Sequence, residues 1–261
     1  MKTAPGFGQC DVTSSAAIAS LSTQAEGVLT LAGPLPFPLA YTTDADGRLD
    51  GGYLYCLGAE IAHRAGLEGV AFTEQAFPDL VAGKVSGYDV ALVDATVTPE
   101  RAAAVSFAAP YGTNSSGVLA RTDSAIKQAD VAEATIAVVE GSLQQSVFGR
   151  AFPQAVVVGV VGPSEAADAV ERGEADVAIL DTNLAMIEAA SSSSDLAVIA
   201  RYPIGGDLAP VLPLGSANVT PVSTIIESMR ADGTLDAIRQ RWLVPALGGD
   251  PEAIPEWPPP V

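Results

Sequence analysis

Two six-residue stretches of the chain share one pattern: an acid, four apolar residues and a second acid. They are Asp89-Val90-Ala91-Leu92-Val93-Asp94 and Asp176-Val177-Ala178-Ile179-Leu180-Asp181. Each follows a turn of small and polar residues, Ser86-Gly87-Tyr88 before the first and Arg172-Gly173-Glu174-Ala175 before the second, and each leads into a helix signal. A short apolar run bounded by acids and turns has the pattern of a strand buried on both faces of a parallel sheet. Ligands of open α/β sheets bind just beyond the carboxyl ends of such strands. Two equivalent strand ends about ninety residues apart predict two similar lobes, each presenting a ligand-facing edge.

The remaining chain alternates in keeping with that reading. Strands are expected at 28–32, 70–73, 117–121, 135–139, 156–161 and 196–201, and helices at 57–65, 80–85, 143–148, 165–171, 184–190 and 221–242. The last helical stretch breaks at Ala231-Asp232-Gly233-Thr234, where Thr234 caps the second part. Residues 12–26 read as a short polar helix or a surface segment, and 191–194 as a low-complexity turn. The proline-rich tail, 245–261, reads as an extended strap or a frayed end. The expected organisation is an α/β protein in which 1–119 form the first part of lobe 1, 120–205 form lobe 2, and 206–261 return to lobe 1 with the C-terminal helices and the tail. Each lobe is expected to be a mostly parallel sheet flanked by helices, and a two-segment hinge joins them.

Composition narrows the partners. The 31 acidic and 13 basic residues leave a net charge of −18, with no basic cluster to supply a nucleic-acid-binding face. No run of eighteen apolar residues appears, so a membrane-spanning segment is not expected. The N-terminus lacks the apolar stretch of a secretory signal, so such a signal is absent or already removed. Cys10 and Cys56 form one disulfide if the protein is exported, or are two inert thiols if it is cytosolic. A metal site is not expected: the single histidine, His63, falls in a helical segment, and two distant cysteines lack the paired spacing of zinc ligands.

The residues able to carry chemistry are charged residues near the two echoing strands. Arg101 falls in the first turn of a helix opened by Thr98 as N-cap and Pro99 at the first helical position, where the macrodipole disfavours a cation. It is a solvated surface arginine, one paired with nearby Glu100, or a guanidinium held to bind a carboxylate. Asp181 either caps the following helix or receives a ligand ammonium. Asp94, its counterpart, caps a turn or adds a second acceptor for a cationic group. Gly141-Ser142-Leu143-Gln144 joins a strand to a helix whose amides suit an anion. Phe37 and Phe77 are walls of a ligand cleft or ordinary packing.

Several motifs together resemble one family. Thr96-Val97-Thr98-Pro99-Glu100-Arg101, followed by Phe107-Ala108-Ala109-Pro110-Tyr111, is similar to the T-x-T-P-E-R and F-x-x-P-Y runs of family 3 solute-binding proteins of bacterial ABC importers. Val139-Glu140-Gly141-Ser142-Leu143, the segment from Gly173 to Asp181, and Ala231-Asp232-Gly233-Thr234 with Trp242 resemble further family segments, so the likeness covers roughly 28–243. It implies the type II periplasmic binding fold and a small amino acid as ligand. Arg101 would grip the α-carboxylate with Thr96 and the amides of Ser142 and Leu143; Asp181 would bind the α-ammonium with the backbone near Asp94; Phe77 would lie against the ligand. The resemblance also implies a periplasmic or otherwise extracytoplasmic monomer, delivering its ligand to an ABC-transporter permease, with no cofactor and no catalysis. A cyclohexadienyl-dehydratase-like enzyme and a ligand-sensing module are the alternatives on the same fold. Two departures stand out. The family's G-F-D-V-D-L-A segment has become Gly52-Tyr53-Leu54-Tyr55-Cys56-Leu57-Gly58, without its acids, and Asp94 replaces a residue that is usually small.

Overall fold

The computed structural model describes residues 3, 6–13, 17–37, 39–191 and 195–259. It divides into two compact units, the first comprising Met1–Gly112 with Asp207–Pro245, the second Thr113–Gly206 with Ala246–Val261. The first unit begins with β1 (Val28–Gly33), β2 (Thr42–Thr43), β3 (Leu49–Gly51), α1 (Tyr53–Arg64), β4 (Gly69–Glu74) and α2 (Phe77–Val81). It continues through β5 (Val90–Ala91), α3 (Pro99–Ala102) and β6 (Ser106–Phe107). The second unit holds β7 (Gly112–Arg121) from Thr113 on, β8 (Thr135–Val139), α4 (Leu143–Ala151), β9 (Val156–Val160), α5 (Pro163–Glu171), β10 (Val177–Asp181), α6 (Thr182–Ser191) and β11 (Leu196–Leu208) up to Gly206. The chain then returns to the first unit for β12 (Val211–Leu212), α7 (Val219–Ala231) and α8 (Thr234–Trp242).

Each unit has its own sheet, ordered β4-β1-β5-β12-β6 in the first and β11-β7-β10-β8-β9 in the second. The echoing strands β5 and β10 are the middle strands of these sheets and pair in parallel with β1 and β8. The first acid of each phrase explains why the echo exists. Asp89 accepts the Thr30 N–H of β1 at 2.8 Å while its own N–H donates to the Thr30 carbonyl at 2.9 Å. Asp176 does the same with Thr135 of β8, at 2.7 and 2.9 Å. Each carboxylate thus ties the start of a middle strand to its parallel neighbour, a charge-assisted bond that sets the register. Sequence patterning alone assigns these two acids no role.

The expected helices and strands are present with shifted ends. The helix expected at 57–65 begins at Tyr53, because Gly52 at φ 102° makes the turn there, and the one expected at 80–85 spans Phe77–Val81. Thr234 is not the cap of α8: Gly233, left-handed at φ 81°, occupies that position, and the Thr234 hydroxyl instead donates to Asp232 at 2.6 Å. The described residues between 12 and 26 form no helix; 14–16, and 192–194 of the expected serine turn, lie outside the described residues. Cys10 and Cys56 form a disulfide with their Cα atoms 5.2 Å apart. The tail from 246, expected with the first lobe, groups with the second unit, where its backbone pairs with β11 at Arg201. Among the described residues no helix is long and apolar enough to cross a membrane.

Candidate functional site

In the first unit the candidate residues gather beyond the carboxyl end of β5. Thr98, extended at φ −133°, caps α3 by accepting the Arg101 N–H at 3.2 Å, and Pro99 opens the helix without losing a bond. This turn folds the Arg101 side chain inward, leaving the residue 8% exposed. Its Nη1 donates to the Thr96 carbonyl at 2.8 Å, and its guanidinium lies over the Phe77 ring, 5.3 Å from the centroid. Burial lowers the guanidinium pKa to about 10, against a raising effect from Glu100, so it remains a cation at neutral pH. The solvated-arginine reading therefore does not describe Arg101.

Asp94 sits in the left-handed region at φ 49°, which aspartate tolerates better than most residues. Its Oδ1 accepts the Tyr111 hydroxyl at 2.9 Å, and the rings of Tyr111 and Tyr53 meet edge-on at 6.4 Å. The Tyr41 hydroxyl donates to the Leu92 carbonyl at 2.6 Å, fixing the loop from its other end. Burial, and secondarily the charge of Asp94, hold the Tyr41 and Tyr111 phenols well above their ordinary pKa, so both remain neutral donors. Phe37, 5% exposed, packs on Tyr41 at 6.4 Å. Thr96, 4% exposed, is bridged to Leu208.

In the second unit Asp181 ends β10 and is 8% exposed. Its Oδ1 accepts the Asn183 N–H at 2.9 Å at the start of α6, as an N-cap does. The other oxygen, Oδ2, is buried and completes no hydrogen bond among the described residues. Burial raises the carboxyl pKa to about 6, opposed by the Asn114 amide and the backbone N–H groups of Asn183 and Leu184. Asn114 is itself held by backbone: its Oδ1 accepts the Gly206 N–H at 2.8 Å. A Cβ at Gly205 would lie 2.1 Å from the Asn114 carbonyl oxygen, so only glycine permits β7 and β11 to approach this closely.

Asp181 lies opposite Ser116 across the β10–β7 pair, and the Ser116 hydroxyl accepts the Gln144 amide at 3.1 Å. Gln144 is on α4, whose N-cap is Ser142: its Oγ accepts the Gln145 N–H at 3.0 Å. Leu143 is the first residue of that helix, so its N–H belongs to the first-turn donors that lack an intrahelical acceptor. The structure thus brings Asp181, Ser142 and Leu143 into one neighbourhood, and Arg101, Thr96 and Phe77 into another within the first unit. Asn114 and Ser116 join them with no local motif that marks them, whereas Tyr111 closes the F-x-x-P-Y run and Gln144 ends the Gly141-Ser142-Leu143-Gln144 turn.

Each unit is therefore an α/β half with a buried ionic side chain, Arg101 or Asp181, on the chain that follows or ends its middle strand. The sequence model of bacterial extracellular solute-binding proteins, family 3, matches residues 33–245, and the chain belongs to that family. It is 27% identical over 179 residues to the ABC transporter arginine-binding protein 1 of Escherichia coli K12, covering 66% of this chain and 73% of that one. The solute receptor for L-cysteine of Neisseria gonorrhoeae superposes with a TM-score of 0.74 at 26% identity, over 88% of this chain and 96% of that one. The cysteine-binding protein of Campylobacter jejuni superposes with a TM-score of 0.78 at 22% identity, over 87% and 93%. Two-lobed type II periplasmic binding architecture is thus the fold of the chain, and amino-acid transport the business of its family.

Proposed function

We propose that this protein is the extracytoplasmic binding component of an ABC importer and that its two units close on one small amino acid. Arg101 takes the α-carboxylate in bidentate geometry, assisted by Thr96 and by the first amides of α4 at Ser142 and Leu143. Asp181 takes the α-ammonium, with Asp94 as a second acceptor on the other unit. Phe77 and Phe37 supply the apolar walls. The ligand makes its full set of contacts only in the closed state, and that difference drives closure. The protein acts as a monomer and hands the ligand to a membrane permease.

The observation that carries this reading is the buried, unfilled Oδ2 of Asp181. A desolvated carboxylate oxygen without a donor costs free energy that a ligand ammonium recovers. Arg101, buried on the other unit with its charge intact, supplies the opposite pole of a zwitterion's partner.

The test is calorimetric titration of ligand-stripped protein with a panel of L-amino acids, including L-arginine and L-cysteine. Arg101→Ala and Asp181→Asn should each weaken the binding of the best ligand by about a hundredfold or more, the cost of removing one partner of a buried charge pair. Unchanged affinity in either variant overturns that residue's assignment. Turnover of a prephenate-like cyclic carboxylate in place of stoichiometric retention overturns the transport reading in favour of an enzyme.

A further inference from the structure

The tail from residue 246 lies beyond the segment matched by the family and is built into the second unit. Its prolines at 251, 255 and 258 favour an extended backbone, which lowers the entropy lost on docking. Asp250 caps a 3-10 turn at Pro251–Ala253 by accepting the Glu252 N–H at 3.0 Å, and that turn packs on α6. The chain then runs along β11, an edge strand whose outer groups need partners. The Arg201 N–H donates to the Pro255 carbonyl at 2.9 Å, and the Arg201 carbonyl accepts the Trp257 N–H at 2.8 Å.

Side chains reinforce this pairing. The Arg201 guanidinium meets Glu252 at 2.8 Å and Glu256 at 3.3 Å, and Gln128 donates to the Pro258 carbonyl at 2.9 Å. The Trp257 indole stacks edge-on against Tyr202 at 5.7 Å, and Tyr202 is fully buried in the core cluster that contains Phe148. The two carboxylates are largely solvent-exposed and contribute little each, so the indole and the backbone pair are the anchor.

At its other end the tail is continuous with α8, which belongs to the first unit. The chain therefore passes between the units three times, at 112–113, 206–207 and 245–246. The first two passages are neighbours, since Gly205 and Gly206 of β11 lie against Asn114 of β7.

We propose that residues 246–259 are a strap: anchored by Trp257 on the second unit and covalently held by α8 of the first, they restrict how far the two units swing apart. The proposal rests on the reading that the units move on a hinge. It also places the strap on α6, the helix that Asp181 caps, so that release of the strap and opening of the ammonium site share one element.

Pulsed dipolar spectroscopy on ligand-free full-length protein, spin-labelled at Ala45→Cys and Gln154→Cys, reads the spread of inter-unit distances. Trp257→Ala should broaden the distribution toward longer distances, and Trp257→Phe should not. Should Trp257→Ala fail to fold, Trp257→Leu, which keeps an apolar side chain and loses the ring contact with Tyr202, should broaden it in the same direction to a lesser degree. A distribution unchanged in the variants overturns the proposal, even where the melting temperature falls, because the tail would then only cover Tyr202. The measurement uses no ligand, so a failure to bind amino acids would overturn the transport reading and leave the strap result standing.

Discussion

Asp181 shows how a single residue's surroundings set its chemistry. A carboxylate at the end of a strand is ordinarily a helix cap, and Asp181 does cap α6 through one oxygen. The other oxygen is buried with no donor among the described residues, and desolvation holds the pKa near 6 where 3.8 is ordinary. Since the folded state holds the proton more tightly than the unfolded chain does, ionising Asp181 opposes folding. The penalty is fully present above pH 6 and is relieved as pH falls from 6 toward 3.8. Binding has the opposite preference, because an ammonium requires the carboxylate. Affinity for an amino acid should therefore be constant above pH 7 and fall by about tenfold at pH 5, with proton release on binding near pH 6. Titrations in buffers of different ionisation heat measure both effects, and Asp181→Asn should remove the pH dependence along with most of the binding.

Arg64 plays the corresponding part among the elements of the first unit. It is fully buried at the end of α1, where its Nε donates to Glu60 of the same helix at 2.6 Å. Nη1 reaches Ser228 of α7 at 2.8 Å and Asp232 at 2.8 Å, and Nη2 reaches Thr234 of α8 at 2.8 Å. Glu60 in turn accepts from the N–H of Thr13 at 3.0 Å and its hydroxyl at 2.5 Å, tying in the N-terminal segment. The planar fork of arginine suits four partners in fixed directions, and lysine would not replace it. Arg64→Met should destabilise the protein by about 3–5 kcal/mol, because Glu60 is left buried without its cation. Adding Glu60→Gln should recover part of that loss. Denaturant unfolding of the two variants measures both, and a loss under 1 kcal/mol in the single variant would show that the network is idle.

At the scale of the molecule, a ligand that binds the folded chain and not the unfolded one stabilises it by mass action. A ligand at about one hundred times its Kd contributes about 2.7 kcal/mol, which for a chain of this size raises Tm by about 5 °C or more. The same amino acid should leave the Tm of Arg101→Ala unchanged. A thermal scan across the amino-acid panel thus identifies the preferred ligand and tests the two-unit grip together. The curated arginine-binding relative and the cysteine-binding structures belong to one fold that accommodates different side chains.

The parts of this protein that were legible in its sequence are those that depend on near neighbours in the chain. The echoing apolar runs, the Thr98-Pro99 start of α3 and the position of Arg101 in its first turn are all local, and each stands where the pattern put it. Tertiary structure decided what has no local signature: the burial of Arg101 and Asp181, the left-handed Asp94 held by Tyr111, the four-way Arg64 network, and the docking of the tail on the second unit rather than the first. The two acids of each phrase divide along the same line. Asp89 and Asp176 look like mere boundaries in the sequence, yet each bonds a backbone in a distant parallel strand. Periodicity is set by which residues a segment must bury, so it can be read from the segment alone. Charge partners and desolvation are set by residues that only folding brings near, so they cannot.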